Sequence, residues 1–354
     1  MDFQTLIDKI SRLANDTRSK GSGFERLMKH FFKNVPPYSQ RFSDVWLWQE
    51  WPGRDGQTDS GIDLVAWDRD NNGYCAIQCK FYDPKYPLQK KDIDSFFTAS
   101  GKMGFTSRLI VSTTDTWSQK AEEALSEQQI PVARLGLNDL LESPIDWDTF
   151  DLGRPEEIRV KKKKEPHEFQ KEAIDEVMKG LASHDQGKLI MACGTGKTYT
   201  SYKIGEQIAS NGGFILFLVP SISLMSQTLK EWSFEANVPL RCFAVCSDTK
   251  IGKDNEDLSV HDLAYPATTN VDKLTNAVLS SQADNEMTVV FSTYQSIQVI
   301  IDAQGKGLPE FDLIICDEAH RTTGLTLNNE DASNFVKVHK KNGLRKGKKR
   351  LDMT

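Results

Sequence analysis

The segment MACGTGKT occupies residues 191–198 and decides the fold of the second half of this 354-residue chain. An apolar run precedes it, and a helical pattern from Tyr199 to Ser210 follows it. Glycines let backbone amides approach a phosphate, and the amino terminus of the next helix favours negative charge. Lys197 can reach the terminal phosphates of ATP, and Thr198 can bind Mg²⁺. The segment predicts a phosphate-binding loop that contains Gly194, Thr195, Gly196, Lys197 and Thr198.

Short apolar runs alternate with helical patterns on both sides of this loop. The runs are Leu189 to Cys193, Phe214 to Val219, Cys242 to Val245, Val289 to Ser292 and Leu313 to Cys316. This alternation predicts a parallel sheet with crossover helices. The polar stretch from Thr249 to Met287 has weak periodicity, and its structure is not predicted.

A second motif, DEAH, occupies residues 317–320 directly after the last of these apolar strands. Sheets of this kind bind ligands at the carboxyl ends of their strands, so two carboxylates arrive at a suitable place for a metal. Asp317 would hold Mg²⁺ through water, and Glu318 would orient and deprotonate the attacking water. The simpler alternative is the start of a surface helix.

With these motifs, residues 166–354 resemble the superfamily-two helicases and translocases of the DEAH type. The resemblance implies a RecA-like lobe in which Gln170 reads adenine and His320 belongs to the nucleotide site. The segments from Val219 to Gln227 and from Ser292 to Ser296 resemble motifs that grip one DNA strand by its backbone. Capping of the following helix is the alternative role for their serines and threonines.

The resemblance also raises an expectation about the end of the chain. The family continues beyond Thr354 with a second lobe that carries an arginine finger, and such a finger supplies roughly 10³ to 10⁵ in turnover in related enzymes. We therefore expect ATP binding with very slow hydrolysis from this chain alone. Asp352 departs from the family, which has an apolar or aromatic residue there.

The first half of the chain has a different pattern. Helical spacing of apolar residues predicts two opening helices, and the runs Gly61 to Trp67 and Tyr74 to Phe81 predict a hairpin. Their connection contains Asn71-Asn72-Gly73, a strong turn signal. A strand at Arg108 to Val111, a helix from Ser118 to Gln128 and a strand from Ile130 to Leu135 continue an α/β alternation.

The predicted hairpin carries a possible metal site. Gln78 and Lys80 lie two residues apart in one strand and so share a face, and Asp63 lies in the other strand. The carboxylate, the amide oxygen and the main-chain carbonyl of Cys79 can bind Mg²⁺, while Lys80 orients water and offsets charge on a phosphate. Glu25 on a preceding helix can add a second carboxylate. An exposed Gln and Lys on an edge strand would satisfy the same spacing by accident.

Most of the first 140 residues resemble the Mrr-like branch of the PD-(D/E)xK nucleases. The match runs through GFE at 23–25, GIDLV at 61–65, IQCK at 77–80 and VST at 111–113. The resemblance implies catalytic roles for Asp63, Gln78, Lys80 and Glu25. Gln78 replaces the usual acid, which should weaken Mg²⁺ binding. Asp59 is a possible substitute ligand.

A composition shift near Asp151 marks the boundary between these halves. We predict a restriction-endonuclease-like α/β/α domain at 1–152, a linker at 153–165 and a RecA-like parallel-sheet P-loop NTPase lobe at 166–354. Two basic runs, Lys161 to Lys164 and Lys337 to Arg350, stand on a chain of net charge −6. Such runs are solvated linkers or tails at least as often as they are DNA contacts.

Composition excludes several classes of protein. Hydrophobic residues at 38% and charged residues at 27% are typical of globular proteins rather than disordered or fibrous ones. The start lacks a signal peptide, and no run of eighteen apolar residues follows, so we expect a cytoplasmic protein with no membrane partner. The six cysteines do not match zinc-site spacing, which favours reduced and mostly buried thiols.

A nuclease of this branch ahead of a DEAH motor resembles type I and especially type ISP restriction enzymes, which act on double-stranded DNA with ATP and Mg²⁺. In that family the motor is followed by a methyltransferase and a target-recognition domain, so we expect this chain to be a fragment, a truncated product or one piece of a split system. Two alternatives stay open. One is a helicase-like repair or remodelling factor whose front domain binds DNA without cutting, and the other is a silent ATP-binding fragment.

Overall fold

The computed structural model divides the chain into two compact units, Met1–Lys162 and Lys163–Thr354. It describes residues 5–8, 17–56, 61–102, 104–126, 128–150, 154–247, 259–280, 285–319 and 347–354. Both units combine helices with one sheet, so the predicted α/β class is confirmed. Each unit is described by itself below.

The first unit is built on a five-stranded sheet in the order β1-β2-β3-β4-β5. The strands are β1 (Phe42–Leu47), β2 (Leu64–Asp68), β3 (Gly73–Lys80), β4 (Ser107–Ser112) and β5 (Val132–Leu135). β1, β2 and β3 pair antiparallel, and β3, β4 and β5 pair parallel. The predicted hairpin is present as β2 and β3, with Leu64 opposite Ile77.

Helices cover both faces of this sheet. The helices are α1 (Thr17–Asn34), α2 (Tyr38–Arg41), α3 (Lys90–Ser100), α4 (Gln119–Ser126) and α5 (Leu137–Leu141), and residues 5–8 are also helical. Ala76 of β3 packs in one core cluster with Phe96 of α3 and Ala121 of α4. Ile77 points to the opposite face and is fully buried, and α1 contacts β3. This is the expected α/β/α layering.

A buried ion pair holds the end of this sheet that is remote from Lys80. The guanidinium of Arg41 donates to Asp68 Oδ2 at 2.6 and 2.9 Å, and both side chains are fully buried. Ser107 Oγ lies 3.2 Å from the same carboxylate oxygen, so the network joins α2, β2 and β4. Buried charges persist in proteins when they are paired and hydrogen-bonded in this way.

The second unit is built on a six-stranded sheet in the order β6-β11-β10-β7-β9-β8, in which every pair is parallel. The strands are β6 (Gln186–Leu189), β7 (Phe214–Val219), β8 (Leu240–Val245), β9 (Met287–Thr293), β10 (Phe311–Cys316) and β11 (Gly347–Met353). The predicted parallel sheet is confirmed.

Five helices of the described chain flank this sheet: α6 (Glu168–Ser183), α7 (Lys197–Ala209), α8 (Ile222–Glu235), α9 (Val271–Leu279) and α10 (Ile297–Gly305). One face of the sheet packs Leu216 and Ile314 against Leu274 of α9 and Ile300 of α10. On the other face, Phe217 meets the fully buried Trp232 of α8 at a ring distance of 5.2 Å. The helix α9 lies in the stretch whose structure was not predicted.

Two strands of the second unit differ from the prediction. The strand before the phosphate loop is Gln186–Leu189, so it ends where the predicted strand began. Its residues are mostly polar and only Leu189 is buried, which removes the apolar signal. In β11, Asp352 stands in a regular strand because Arg350 on the same face binds it at 2.8 and 3.0 Å.

The predicted linker contacts both units along its length. Asp146 N donates to Arg159 O, and Lys161 N donates to Pro144 O at 2.7 Å, within the first unit. Lys163 Nζ donates to Ala236 O, within the second. The residues between 154 and 165 therefore lie against folded parts of the chain, while 151–153 are outside the described residues.

The thiols are free, and four of the six are buried; Cys79 is half-buried and Cys193 is exposed. No helix in the described part of the chain has the length and apolarity needed to cross a membrane. Most of the second basic run, up to residue 346, lies outside the described residues.

Candidate active sites

Asp63 lies directly before β2 and faces the end of β3. Its backbone N–H donates to Ile77 O at 2.9 Å, which continues the pairing of the hairpin. Its carboxylate Oδ2 accepts from Cys79 N at 2.6 Å. Because Cys79 stands between Gln78 and Lys80, the fold brings the predicted carboxylate against the predicted Gln-x-Lys segment.

Gln78 is 1% exposed, and only one end of its amide is bonded. The nitrogen Nε2 donates to Gly61 O at 3.0 Å, whereas the oxygen Oε1 is buried without a hydrogen-bond partner. A buried acceptor left without a donor costs about 1–3 kcal/mol, so such atoms are rare and call for a reason. An amide oxygen in the residue before the one that binds the Asp63 carboxylate fits a divalent cation, because amide and carboxylate oxygens are both hard ligands.

Lys80 ends β3 and is half-buried, and its ammonium makes no ion pair within the described residues. Glu25 on α1 is close enough to affect Cys79. Burial, then the charges of Asp63 and Glu25, raise the pKa of the Cys79 thiol well above its ordinary value, while Lys80 lowers it. Phe24, next to Glu25, meets Phe81 at a ring distance of 5.6 Å. The structure thus gathers all four predicted residues around the end of β3.

Thr113 is a part of this site that the sequence did not assign a role. Its backbone N–H donates to Lys80 O at 3.1 Å, and its hydroxyl donates to Tyr82 O at 2.6 Å and accepts from Tyr82 N at 2.8 Å. The segment that carries Lys80 is therefore fixed to the end of β4. The signal was present in the VST run at 111–113, but a single sequence does not say what its hydroxyl binds.

The phosphate loop of the second unit has the backbone that its glycines predict. Gly194 and Gly196 have φ values of 78° and 85°, a region that favours glycine. A Cβ on Gly196 would lie 2.6 Å from Gln170 Nε2, so a larger residue would push the glutamine away. Thr195 Oγ1 donates to Ala192 O at 2.7 Å, and α7 begins at Lys197.

Lys197 meets the second predicted motif of this unit. Its Nζ lies 3.3 Å from Glu318 Oε1, in a half-buried ion pair. The adjacent Asp317 is 8% exposed, and its Oδ1 accepts from Glu318 N at 3.0 Å. Glu318 has a φ of 50°, which few residues other than glycine adopt and which often marks functional sites. Thr198, in the first turn of α7, is half-buried.

A cavity of about 560 Å³ lies beside the phosphate loop. This volume is within the usual range for small-molecule sites, about 300–1,000 Å³. Gln170 is among the residues that line this cavity. The oxygen of its side-chain amide accepts from His167 N, and the nitrogen donates to Thr195 O, at 2.9 Å each. The other residues around the cavity are Lys164, Glu165, His167, Phe169, Gly194, Thr195, Gly196 and Tyr199.

The two segments expected to grip DNA use several of their hydroxyl groups inside the protein. Ser221 caps α8, with its hydroxyl accepting from Leu224 N at 3.3 Å. Ser292 donates to Thr293 O, and Thr293 donates to Ser296 Oγ; all three are buried. In this conformation the capping role applies to Ser221, while Gln227 is exposed.

Two predicted residues, His320 and Asp59, lie outside the described residues. Among the described residues there is no group of three or more His, Cys, Asp or Glu side chains placed to hold a metal ion. Each candidate site therefore relies on other oxygen donors, an amide in the first unit and a threonine hydroxyl in the second.

Comparison with known families covers nearly the whole chain. A family model described as "Restriction endonuclease" matches residues 33–157, which include Asp63, Gln78 and Lys80. A second, described as "Type III restriction enzyme, res subunit", matches residues 163–354, which include both motifs of the second unit.

Known proteins give the same picture. The solved structure of the "ATP-dependent Type ISP restriction-modification enzyme LlaBIII bound to DNA" is 40% identical with a TM-score of 0.85, over 98% of this chain and 22% of that one. The probable helicase A859L of African swine fever virus (strain Badajoz 1971 Vero-adapted) is 31% identical over 159 residues, or 44% of this chain and 16% of that protein. This chain thus spans about a fifth or less of these relatives. It shares the nuclease and motor domains of type ISP enzymes, and because the second family match covers more than half of its length, it belongs to the family described as type III restriction enzyme, res subunit.

Proposed function

We propose that this chain is the nuclease and first motor lobe of an ATP-dependent DNA restriction enzyme of the type ISP kind. The first unit would hydrolyse DNA phosphodiesters with Mg²⁺, and the second would bind and hydrolyse ATP on DNA. The observation that carries the proposal is the buried Gln78 Oε1 without a hydrogen-bond partner, in the residue before Cys79, whose N–H binds the Asp63 carboxylate. The strand that carries both residues ends at Lys80.

In the nuclease unit, Asp63 and Gln78 would hold Mg²⁺. When bound, this ion supplies a Lewis acid and lowers the pKa of water near it. Lys80 would bind an oxygen of the scissile phosphate and offset its developing charge, because it stands two residues after Gln78 at the end of β3. Glu25 on α1 would add a second carboxylate to this metal site.

In the motor unit, Thr198 and Asp317 would hold the Mg²⁺ that accompanies ATP. Lys197, now 3.3 Å from Glu318, would exchange this partner for the β- and γ-phosphates. The exchange would free Glu318 to orient and deprotonate the attacking water. The Gln170 amide uses one N–H for Thr195 and one lone pair for His167, and it would contact adenine with the remaining N–H and lone pair.

Double-stranded DNA is the proposed substrate because the similar LlaBIII structure is described as bound to DNA. Methyltransferase and target-recognition modules, expected from the type ISP resemblance, are the proposed partners of these two units. Cytoplasmic localisation is likewise proposed from the family and from the absence of a membrane-spanning helix in the described residues.

The test is cleavage of supercoiled plasmid by the purified chain with Mg²⁺ or Mn²⁺, with and without ATP. We expect Lys80→Ala to slow nicking by roughly 10²-fold or more, since removal of one charge-stabilising donor has that effect in other enzymes. Lys102→Ala is the matched control, because Lys102 is an exposed lysine of the same unit outside the site.

Equal products from wild type and Lys80→Ala would remove the nuclease assignment. Retained DNA binding with no cleavage under any metal condition would favour the alternative, a helicase-like factor whose front domain binds DNA without cutting. Calorimetric titration with ATP tests the motor half separately.

A further inference from the structure

Lys164 is held by three side chains from two helices of the second unit. Its backbone N–H donates to Glu235 Oε2 at 2.9 Å, and its carbonyl accepts from the Tyr199 hydroxyl at 2.7 Å. Its ammonium pairs with Glu231 at 2.9 Å. The backbone N–H, the carbonyl and the side chain of Lys164 are thus all bonded, and these contacts fix the position of this exposed stretch. We call residues Lys163–His167 the strap.

The strap forms one side of the cavity beside the phosphate loop. Lys164, Glu165 and His167 line it together with the loop glycines. Tyr199 also lines it, and Tyr199 is both the anchor of Lys164 and the third residue of α7, two positions after Lys197. A ligand in the cavity would therefore contact both partners of the Tyr199–Lys164 hydrogen bond.

The Tyr199 hydroxyl, which binds the carbonyl of Lys164, keeps its proton over a wide pH range. Burial, with the nearby charges of Glu235, Glu165 and Glu206, raises the pKa of Tyr199 to about 12, so its hydroxyl stays a donor. Glu235 is 1% exposed, and its Oε1 has no hydrogen-bond partner. A carboxylate in such a place costs stability unless it is paired, and the backbone N–H of the strap is the bond that it makes on its other oxygen.

The strap is also the start of the second unit in the chain. Lys161 N still bonds to Pro144 O of the first unit, and Lys163 Nζ already donates to Ala236 O of the second. Only Lys162 lies between these contacts. The strap is therefore separated by one residue from the last contact of the first unit.

We propose that the strap is a wall of the nucleotide site, positioned by Tyr199 and Glu235, and that bound nucleotide further stabilises it against local opening. Occupancy of the motor site would then set the freedom of the chain that joins nuclease and motor. This inference rests on the proposed ATP site. The simpler alternative is an ordered linker whose contacts do not depend on nucleotide.

The experiment is limited trypsin digestion of the full chain, because the strap and the residue before it offer exposed lysines at 162, 163 and 164. Cleavage in this run is followed by mass spectrometry, with and without a slowly hydrolysed ATP analogue whose affinity is measured by calorimetry. If local opening must precede cleavage, nucleotide at 100 times its Kd suppresses it by up to roughly 100-fold. We expect strong nucleotide-dependent protection in the wild type.

Tyr199→Phe tests the anchor, and Tyr202→Phe is its matched control. The control removes the same hydroxyl group one turn further along α7, where it bonds Glu206 and Asn237 rather than the strap. One hydrogen bond is worth about 0.5–1.5 kcal/mol, so nucleotide-bound Tyr199→Phe should be cut roughly 3- to 10-fold faster than wild type. Tyr202→Phe should keep the wild-type protection ratio even if its Tm falls.

Each remaining outcome overturns the inference. If nucleotide binds but does not change cleavage at residues 162–164, the proposed function would stand and the inference about the strap would be wrong. Equal protection in the two tyrosine variants would remove the role of Tyr199. Failure of wild type to bind nucleotide at all would overturn both the inference and the motor half of the proposed function.

Discussion

The two units place their polar groups on different kinds of structure. In the first, Gln78 and Lys80 belong to a paired strand and Asp63 directly precedes its partner, so sheet hydrogen bonds fix all three. In the second, Lys197 begins α7 and Glu318 follows β10, and they meet through a side-chain contact of 3.3 Å.

This difference shows which kind of contact positions the residues of each site. A strand-borne site is set once the sheet forms, and its Gln78 oxygen has no hydrogen-bond partner. A site whose groups meet only through side chains can change partners, and under the proposed function Lys197 would exchange Glu318 for phosphate. We expect the first site to respond to changes in its sheet and its charge, and the second to respond to nucleotide.

The largest expected effect is a loss of stability of the first unit. Arg41→Ala leaves Asp68 charged, buried and short of its partner, which should destabilise this unit by about 3–5 kcal/mol. Every tryptophan except Trp232 lies in the first unit, so tryptophan fluorescence during urea denaturation reports on it. A loss below 1 kcal/mol would show that the sheet does not depend on this pair.

The matched control is Lys90→Ala in the same unit. Its partner Asp94 lies at 2.7 Å, but the Lys90 side chain is 49% exposed. Exposed pairs contribute about 0–1 kcal/mol, so this variant should unfold like the wild type.

The next effect separates the two sites. Lys197→Ala should weaken ATP binding by roughly 10- to 150-fold, the equivalent of about 1.5–3 kcal/mol for hydrogen bonds to a charged group. Cleavage of plasmid without nucleotide should not change. Asp63→Ala should abolish plasmid cleavage and leave ATP binding unchanged. Calorimetry measures ATP binding, and plasmid nicking measures cleavage. A loss of both activities in either variant would contradict the separation.

A smaller effect sharpens the account of the strand-borne site. Gln78→Glu restores a negative charge and should tighten Mn²⁺ binding about tenfold in titrations without nucleotide. The same buried charge should lower the Tm of the metal-free protein, because an unpaired buried carboxylate is costly. Unchanged Mn²⁺ affinity would show that the Gln78 oxygen does not face a cation.

The smallest effect uses two cysteines as reporters. Alkylation rates follow the thiolate fraction, so Cys79 should react slowly at pH 8 and faster as the pH rises, because burial, Asp63 and Glu25 raise its pKa. Asp63→Asn removes one charge and should speed Cys79 labelling about 3- to 10-fold. The exposed Cys193 serves as the internal reference, and Asp94→Asn, on the exposed face of α3, is the control.

Much of this architecture could be predicted from the sequence. The five predicted strands around the phosphate loop reappear as four strands that match closely and one, β6, that lies earlier. Apolar runs such as Phe214–Val219 are read correctly because both of their faces are buried. β6 was misplaced because Gln186, Gly187 and Lys188 give a partly exposed edge strand no apolar signal.

The rest depends on contacts between distant residues. The Arg41–Asp68 network spans 27 residues, and Thr113 reaches back 31 residues to Tyr82. Neither has a local pattern, since a serine, threonine or arginine looks the same in the sequence whether its partner is water or a buried carboxylate. Lys163 and Lys164 of the strap belong to a basic run for which the sequence left a solvated linker and a DNA contact open, and no local pattern shows the bonds of Lys164 to Tyr199 and Glu235.

The position of β11 has a consequence for how the second unit is made. Residues 347–353 lie between β6 and β10, and among the described strands β6 pairs with β11 alone. During synthesis, at about 5–20 residues per second, the strand that leads into the phosphate loop has no neighbour until some 160 further residues have emerged. A ribosome-bound chain should therefore complete the sheet of its first unit early and complete the sheet around the phosphate loop only once β11 is inserted.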